Sequence, residues 1–134
     1  MDIVLVEKAM TNWTAGVLGL TVDVGIFRGG VPTGFDTGVG VILNGEVRDS
    51  TVLRPRTYNV QVLGKFNDRD SALRMLSKLA EKLPIYGMTQ DSLVFRVLMQ
   101  RGDSSPYTVE DNGKIKYYAS FNMLAVVLME GAQS

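Results

Sequence analysis

The chain has 134 residues, 46% of them hydrophobic and 21% charged, which is enough for one domain with a core of its own and excludes a disordered chain. Fourteen basic and fourteen acidic residues cancel, so no net field favours nucleic acid or an anionic membrane, and little charge holds copies apart. Cysteine and histidine are both absent, which excludes disulfides, thiolate nucleophiles, Ser/His/Asp and Cys/His triads and the commonest zinc ligand, while leaving carboxylate or lysine chemistry open.

The N-terminus, Met1-Asp2-Ile3, has no basic n-region, and Asp2 and Glu7 interrupt a signal-peptide pattern. No apolar run reaches the roughly 18 residues of a membrane span. A soluble product made in the cytoplasm is expected, with no membrane partner. Ile3, Val6, Met10, Trp13 and Val17 then recur at spacings of three and four, the apolar face of a helix. Asp2 is placed to cap it, and Gly16 and Gly19 are its candidate terminators.

Beyond that helix the period changes. Leu20, Val22, Val24 and Ile26 alternate with Thr21, Asp23, Gly25 and Phe27, which predicts a half-buried strand. Arg28 to Gly38 holds four glycines and a proline and reads as a long loop. A second strand, Val39 to Leu43, ends in Asn44-Gly45, a tight-hairpin signal. The polar stretch up to Arg56 leaves open whether another strand covers Glu46 to Leu53.

From Thr57 to Phe66 the pattern is again strand, with Tyr58, Val60 and Val62 facing one way and Asn59 and Gln61 the other. The clearest helix follows. Asn67 or Asp68 caps it, Asp70 precedes Arg74 by one turn, and Ala72, Leu73, Leu76, Leu79, Ala80 and Leu83 form the apolar stripe. Arg74, Lys78 and Lys82 complement the C-terminal end of its dipole, and Pro84 ends it.

Ser92 to Gln100 reads as a core strand with Leu93, Phe95, Val97 and Met99 on one face. Arg101 to Lys114 is a polar excursion with a turn at Asp111-Asn112-Gly113. The last strand runs from Ile115 to about Leu128, with Tyr117, Ala119, Phe121 and Met123 alternating against Lys116, Tyr118, Ser120 and Asn122. Its length predicts a bend or bulge near Leu124. The order α-β-β(-β)-α-β-β predicts an α+β fold in one domain over residues 1–134, two helices packed on one face of a mainly antiparallel sheet.

The motif search finds no catalytic site. In Gly29 to Gly38 the last glycine is followed by Val39 and a strand, not by the Lys-Ser/Thr and helix of a phosphate loop, and the dinucleotide fingerprint fails likewise. Asp23, Glu46, Asp49, Glu110 and Asp111 could in principle pair for acid/base work or hold Mg²⁺, but no spacing sets two of them on one rigid element. Arg48, Arg54 and Arg56, with Tyr58 nearby, are diluted by Glu46 and Asp49, so they read as a solvated or salt-bridging segment and not as a nucleic-acid patch. Trp13 and most of the seven methionines, Met75, Met88, Met99 and Met123 among them, read as core. No cofactor, metal or sequence-specific nucleic acid is expected. Three long loops, Arg28 to Gly38, Gly45 to Arg56 and Arg101 to Lys114, are left as surfaces for contacting neighbours.

The order of these features resembles the tail-terminator, tail-completion and minor capsid proteins of long-tailed bacteriophages and prophages. The likeness runs over nearly the whole chain. It begins with the N-terminal helix leading to Leu20 and the loop through Val31-Pro32, and continues through Arg54-Pro55, the strand Val60-Gln61-Val62, and Phe66-Asn67-Asp68 before the helix bearing Ala72, Leu76, Leu79 and Leu83. Ser105-Pro106-Tyr107, Glu110-Asp111-Asn112-Gly113-Lys114 and a terminal strand through Tyr118, Ser120 and Phe121 complete it. None of these motifs is specific alone, and the stretch between Asn44 and Arg54 departs from the pattern.

The resemblance implies a structural protein of the virion's head–tail junction. It would form a ring, commonly six-fold, that caps the tail tube, contacts the tube protein and docks head-side connector proteins. The family has no catalytic residues to carry over. As charged loop residues flanking strands, Arg28, Asp49, Arg54, Arg56, Arg101, Asp103 and Glu110 are the candidate subunit contacts. A minor capsid or neck component without a terminating role, and a small ligand-binding or enzymatic domain with Gly29 to Gly38 closing over a ligand, are the alternatives.

Overall fold

The computed structural model describes residues 3–47 and 56–128. Helix α1, Ile3–Leu18, buries Val6, Met10 and Trp13 of the stripe that its spacing predicts, with Ala9 beside them, while Val17 is half-buried and Ile3 exposed. Gly16 lies inside the helix. Gly19 ends it in the left-handed region, φ 69°, where the Leu20 N–H reaches back to the Ala15 carbonyl at 3.0 Å. The proposed cap Asp2 lies outside the described residues.

The strand expected from Leu20 is mostly a turn. The Thr21 carbonyl accepts the N–H groups of Val24 and Gly25 at 3.1 and 2.9 Å, and Asp23 sits at φ 69°. This local wrapping breaks the alternation, leaves Val24 66% exposed and delays strand β1 to Ile26–Arg28. Strand β2, Gly38–Val47, continues past Asn44-Gly45, which is a bulge and not a hairpin turn: Leu43 pairs with Val60 and Glu46 with Tyr58, two residues passing against one. Residues 48–53 of the further strand considered there lie outside the described residues.

Strand β3, Arg56–Phe66, buries Tyr58, Val60 and Val62 as its alternation predicts. Helix α2, Arg69–Lys82, starts at Asp68, whose carboxylate accepts from the Ser71 backbone N–H at 2.9 Å and the Ser71 hydroxyl at 2.8 Å. It buries Ala72, Met75, Leu76 and Leu79. Ala80 has rotated off that stripe into solvent, and Met75 closes it instead.

Four further strands complete the sheet, two more than the periodicity suggests: β4, Ile85–Gln90; β5, Leu93–Gln100; β6, Pro106–Asp111; and β7, Lys114–Val127. In β5, Phe95 pairs with Val127 and Val97 with Val126, so Arg96 is an extra residue against β7. That bulge turns Leu98 into the core with Leu93 and Phe95, and Val97 and the partly exposed Met99 go to the opposite face. β6 occupies the supposed polar excursion. It forms a hairpin with β7 through Asn112-Gly113, both at positive φ (52° and 80°), as a two-residue type I′ turn requires.

β7 shows no break near Leu124. Its pairing with β3 is continuous from Tyr117 to Val127, and its length is used by a change of partner on the other side: β6 along Lys114 to Ala119, then β5 along Met123 to Val127. The sheet order is β1-β2-β3-β7-β5-β4, with β6 also on β7, and every pairing but β1 with β2 is antiparallel. Both helices lie on one face, over the buried side chains of β2, β3, β5 and β7, so the fold is the α+β arrangement of two helices on a mainly antiparallel sheet.

Candidate functional site

With both helices on one side, the opposite sheet face, the strand edges and the β6–β7 hairpin are left for other uses. The loop at residues 29–37 crosses part of that open face and is pinned at four places. The Gly29 N–H donates to the Val41 carbonyl at 2.8 Å. Gly30, at φ 132°, lies so close to β2 that a Cβ on Gly40 would come within 2.6 Å of the Gly30 Cα. Phe35 packs on Phe27 with ring centroids 4.6 Å apart. Asp36 accepts a 3.0 Å hydrogen bond from the Asn67 amide and a second bond from the ammonium of Lys116, which also donates to Asn67 Oδ1.

Lys116 is buried, 4% exposed, because Asp36 and Asn67 enclose its ammonium. These hydrogen bonds, from Lys116 first and then Asn67, hold the Asp36 carboxyl below its ordinary pKa. The glycine-rich stretch is thus a tethered strap over a sheet.

Alternation puts a polar band on the uncovered part of this face. Gln61 donates to the Ser120 hydroxyl at 2.9 Å and accepts from Asn44 at 3.5 Å. The Arg101 guanidinium donates to Asn59 Oδ1, and the Arg101 N–H to the Asn122 carbonyl at 2.8 Å. These groups are uncharged amides and hydroxyls apart from Arg101, a chemistry suited to weak, adaptable hydrogen bonding. Two open clefts flank the strap. One, of about 500 Å³, runs to α1 past Lys8, Asn12 and Arg28. The other, of about 560 Å³, lies over Leu63, Lys65 and Tyr118.

Towards its turn the hairpin runs past the end of the β3 pairing, and Tyr107 to Glu110 of β6 are exposed. Tyr107 and Val109 lie on its open-face side, Tyr107 stacked on Tyr118 at 5.6 Å, and Ile115 lies on the other, 58% exposed. Three exposed apolar side chains on a two-stranded ribbon are a local excess of the kind that marks a contact surface.

The candidate contact residues do not form one cluster. Arg28 ends β1 and pairs with Glu7 of α1 at 3.3 Å, so it ties strand to helix within the chain. Arg56 opens β3 opposite Val127. Arg101 follows β5 on the polar band, Asp103 is exposed in the connection to β6, and Glu110 is exposed in β6 on the far side of the sheet from Arg28. Asp49 and Arg54 lie outside the described residues. Reading Arg101 to Lys114 as a polar excursion missed this hairpin, whose signal is the alternation of Tyr107 and Val109 with Thr108 and Glu110 ahead of Asn112-Gly113. Among the described residues, no three carboxylates cluster as metal ligands, and no helix is long and apolar enough to cross a membrane.

No protein-family model matches this sequence, and no curated protein matches it.

Proposed function

We propose that this protein is a structural assembly subunit of a long-tailed bacteriophage or prophage: a tail terminator whose ring caps the tail tube and docks head-side connector proteins at the head–tail junction. The reading joins the order of sequence features to one structural observation. That observation is the β6–β7 hairpin, which carries Tyr107, Val109 and Ile115 into solvent beside a strand edge that no described strand covers. Such an edge invites strand addition and is costly for a protein that must stay monomeric. A last ring of these subunits ends tube growth by presenting no further addition surface, and a closed ring needs heterologous contacts between different surfaces of identical copies.

The test is a phage lacking this protein. Overlong tails support termination, normal-length unattached tails support a neck or minor capsid role in joining alone, and infectious particles with normal tails sink both.

A ligand-binding reading is favoured by the two clefts beside the strap. It predicts thermal stabilisation by a small molecule. A nucleotide and small-acid screen without any shift in melting temperature counts against it.

A further inference from the structure

We infer that copies of this chain join edge to edge, the outer edge of β6 in one copy pairing antiparallel with the free half of β2 in the next. The sheet then runs on from subunit to subunit. The inference rests on the ring-forming reading above and names the two surfaces that close the ring.

Neither edge is covered by a described strand. β6 pairs with β7 on one side, and no described strand lies on its other side. On the opposite margin of the sheet, β1 covers β2 only along Val39 to Val41, which leaves Ile42–Val47 with no described strand outside it. β4 is the third margin, but Gly87 at φ 75° interrupts it and drops out of its pairing, so it offers no straight ladder.

Strand direction agrees. β2 and β7 are each antiparallel to β3, and β6 is antiparallel to β7, so β6 runs opposite to β2. Rotation about a ring axis along the strands preserves direction, and β6 therefore meets the neighbour's β2 antiparallel, the more stable arrangement.

The side chains agree as well. Asp111 and Lys114 flank a two-residue turn and form a hydrogen-bonded pair, so Tyr107, Val109 and Asp111 turn their backbone groups towards β7, and Thr108 and Glu110 turn theirs outward. On β2, the Val39 N–H and Val41 carbonyl bond outward to Gly25 and Gly29, so Leu43 is the next residue whose groups point outward. Thr108 and Leu43 both lie on the helix side of the sheet, as two hydrogen-bonded partners must. Val109 and Ile42 then both lie on the open face at non-hydrogen-bonded positions, where side chains approach most closely.

A mismatch of parity would have ruled the pairing out. The two edges are also staggered. Val109 lies level with Lys116, and its partner Ile42, through Gln61, lies level with Asn122, six residues further along β7. A closed sheet needs such a stagger, since its strands tilt.

The test uses the absence of native cysteine. The double variant Ile42→Cys/Val109→Cys, oxidised at high protein concentration, should give a ladder of cross-linked species up to a closed ring, and neither single variant should. Thr108→Pro removes an outward N–H while leaving the β6–β7 ladder intact, as edge prolines do. It should keep its circular dichroism and melting temperature and weaken assembly roughly tenfold or more, the effect of one or two lost hydrogen bonds.

A disulfide dimer of Val109→Cys alone would mean that β6 pairs with itself, and would overturn the inference. A ring without a ladder, unaffected by Thr108→Pro, would overturn the edge pairing and leave the ring reading standing. A monomer at every concentration that gives no ladder and also fails to bind tail tubes would overturn both.

Discussion

Lys116 and Asp36 stand 80 residues apart in the chain and meet on the open face of the sheet, the ammonium buried and the carboxylate largely in solvent. The two partners are therefore not equivalent. Removing the carboxylate leaves a buried cation with only Asn67 to solvate it, whereas removing the cation leaves an acid that water already serves. Asp36→Ala should lower the urea midpoint of unfolding more than Lys116→Met, although both break the same contact. Equal losses would show that the buried ammonium carries no extra penalty, and no loss in either variant would leave the strap to Phe35 on Phe27.

The same contact sets a pH dependence. Asp36 and Asp68 both lie below the ordinary carboxylate value of 3.8, Asp36 through hydrogen bonds from Lys116 and then Asn67, and Asp68 through the Ser71 hydroxyl and then its backbone N–H. A depressed folded pKa gives stability that is fully present above the unfolded value and is lost as pH falls through the folded one. Asp36→Asn should flatten the acid limb of a stability-against-pH curve as pH falls through and below the ordinary carboxylate value of 3.8. Both groups are exposed, so the effect should shrink in high salt. An acid limb unchanged by the substitution would place the linkage elsewhere.

Gly40→Ala tests the close approach of strap and sheet. The added Cβ meets the backbone of Gly30 at 2.6 Å, and backbone cannot rotate away as a side chain can. A loss of about 1–3 kcal/mol in urea unfolding is expected, with faster proteolysis in residues 29–37. Gly113→Ala, at φ 80° with open space around it, should act through strain alone and loosen only the hairpin turn.

Phe121 is fully buried between the helices and the centre of β7. Phe121→Ala should cost about 3–5 kcal/mol, a large share of a small domain's stability, readable as a drop in melting temperature. A loss under 1 kcal/mol would mean that the core around Met123 and Leu79 collapses to fill the space.

Much of this fold can be read from the chain because its longest elements repeat one rule without interruption. Tyr58, Val60 and Val62 in β3, and Tyr117 to Met123 in β7, alternate cleanly, and Asp68 with Ser71 marks the start of α2. The reading fails where one residue changes the phase. Asp23 in the left-handed region turns Leu20 to Gly25 into a wrapped loop, Arg96 as a bulge moves Val97 and Met99 to the other face, and Asn44-Gly45 serves as a bulge where a hairpin turn was equally allowed. The strap depends on contacts between residues far apart in the chain, such as Asp36 with Lys116, and periodicity carries no trace of these. Charge in a loop does place Arg28 at the surface, but not its partner, which is Glu7 of the same chain.

The most direct test of the assembly reading is the mass of the purified protein by light scattering, with negative-stain images of the same sample, alone and mixed with tail tubes. The account predicts a closed ring of about six times the 14.7 kDa chain mass, free in solution or seated on the tube end. A monomer at every concentration that also fails to bind the tubes would contradict it.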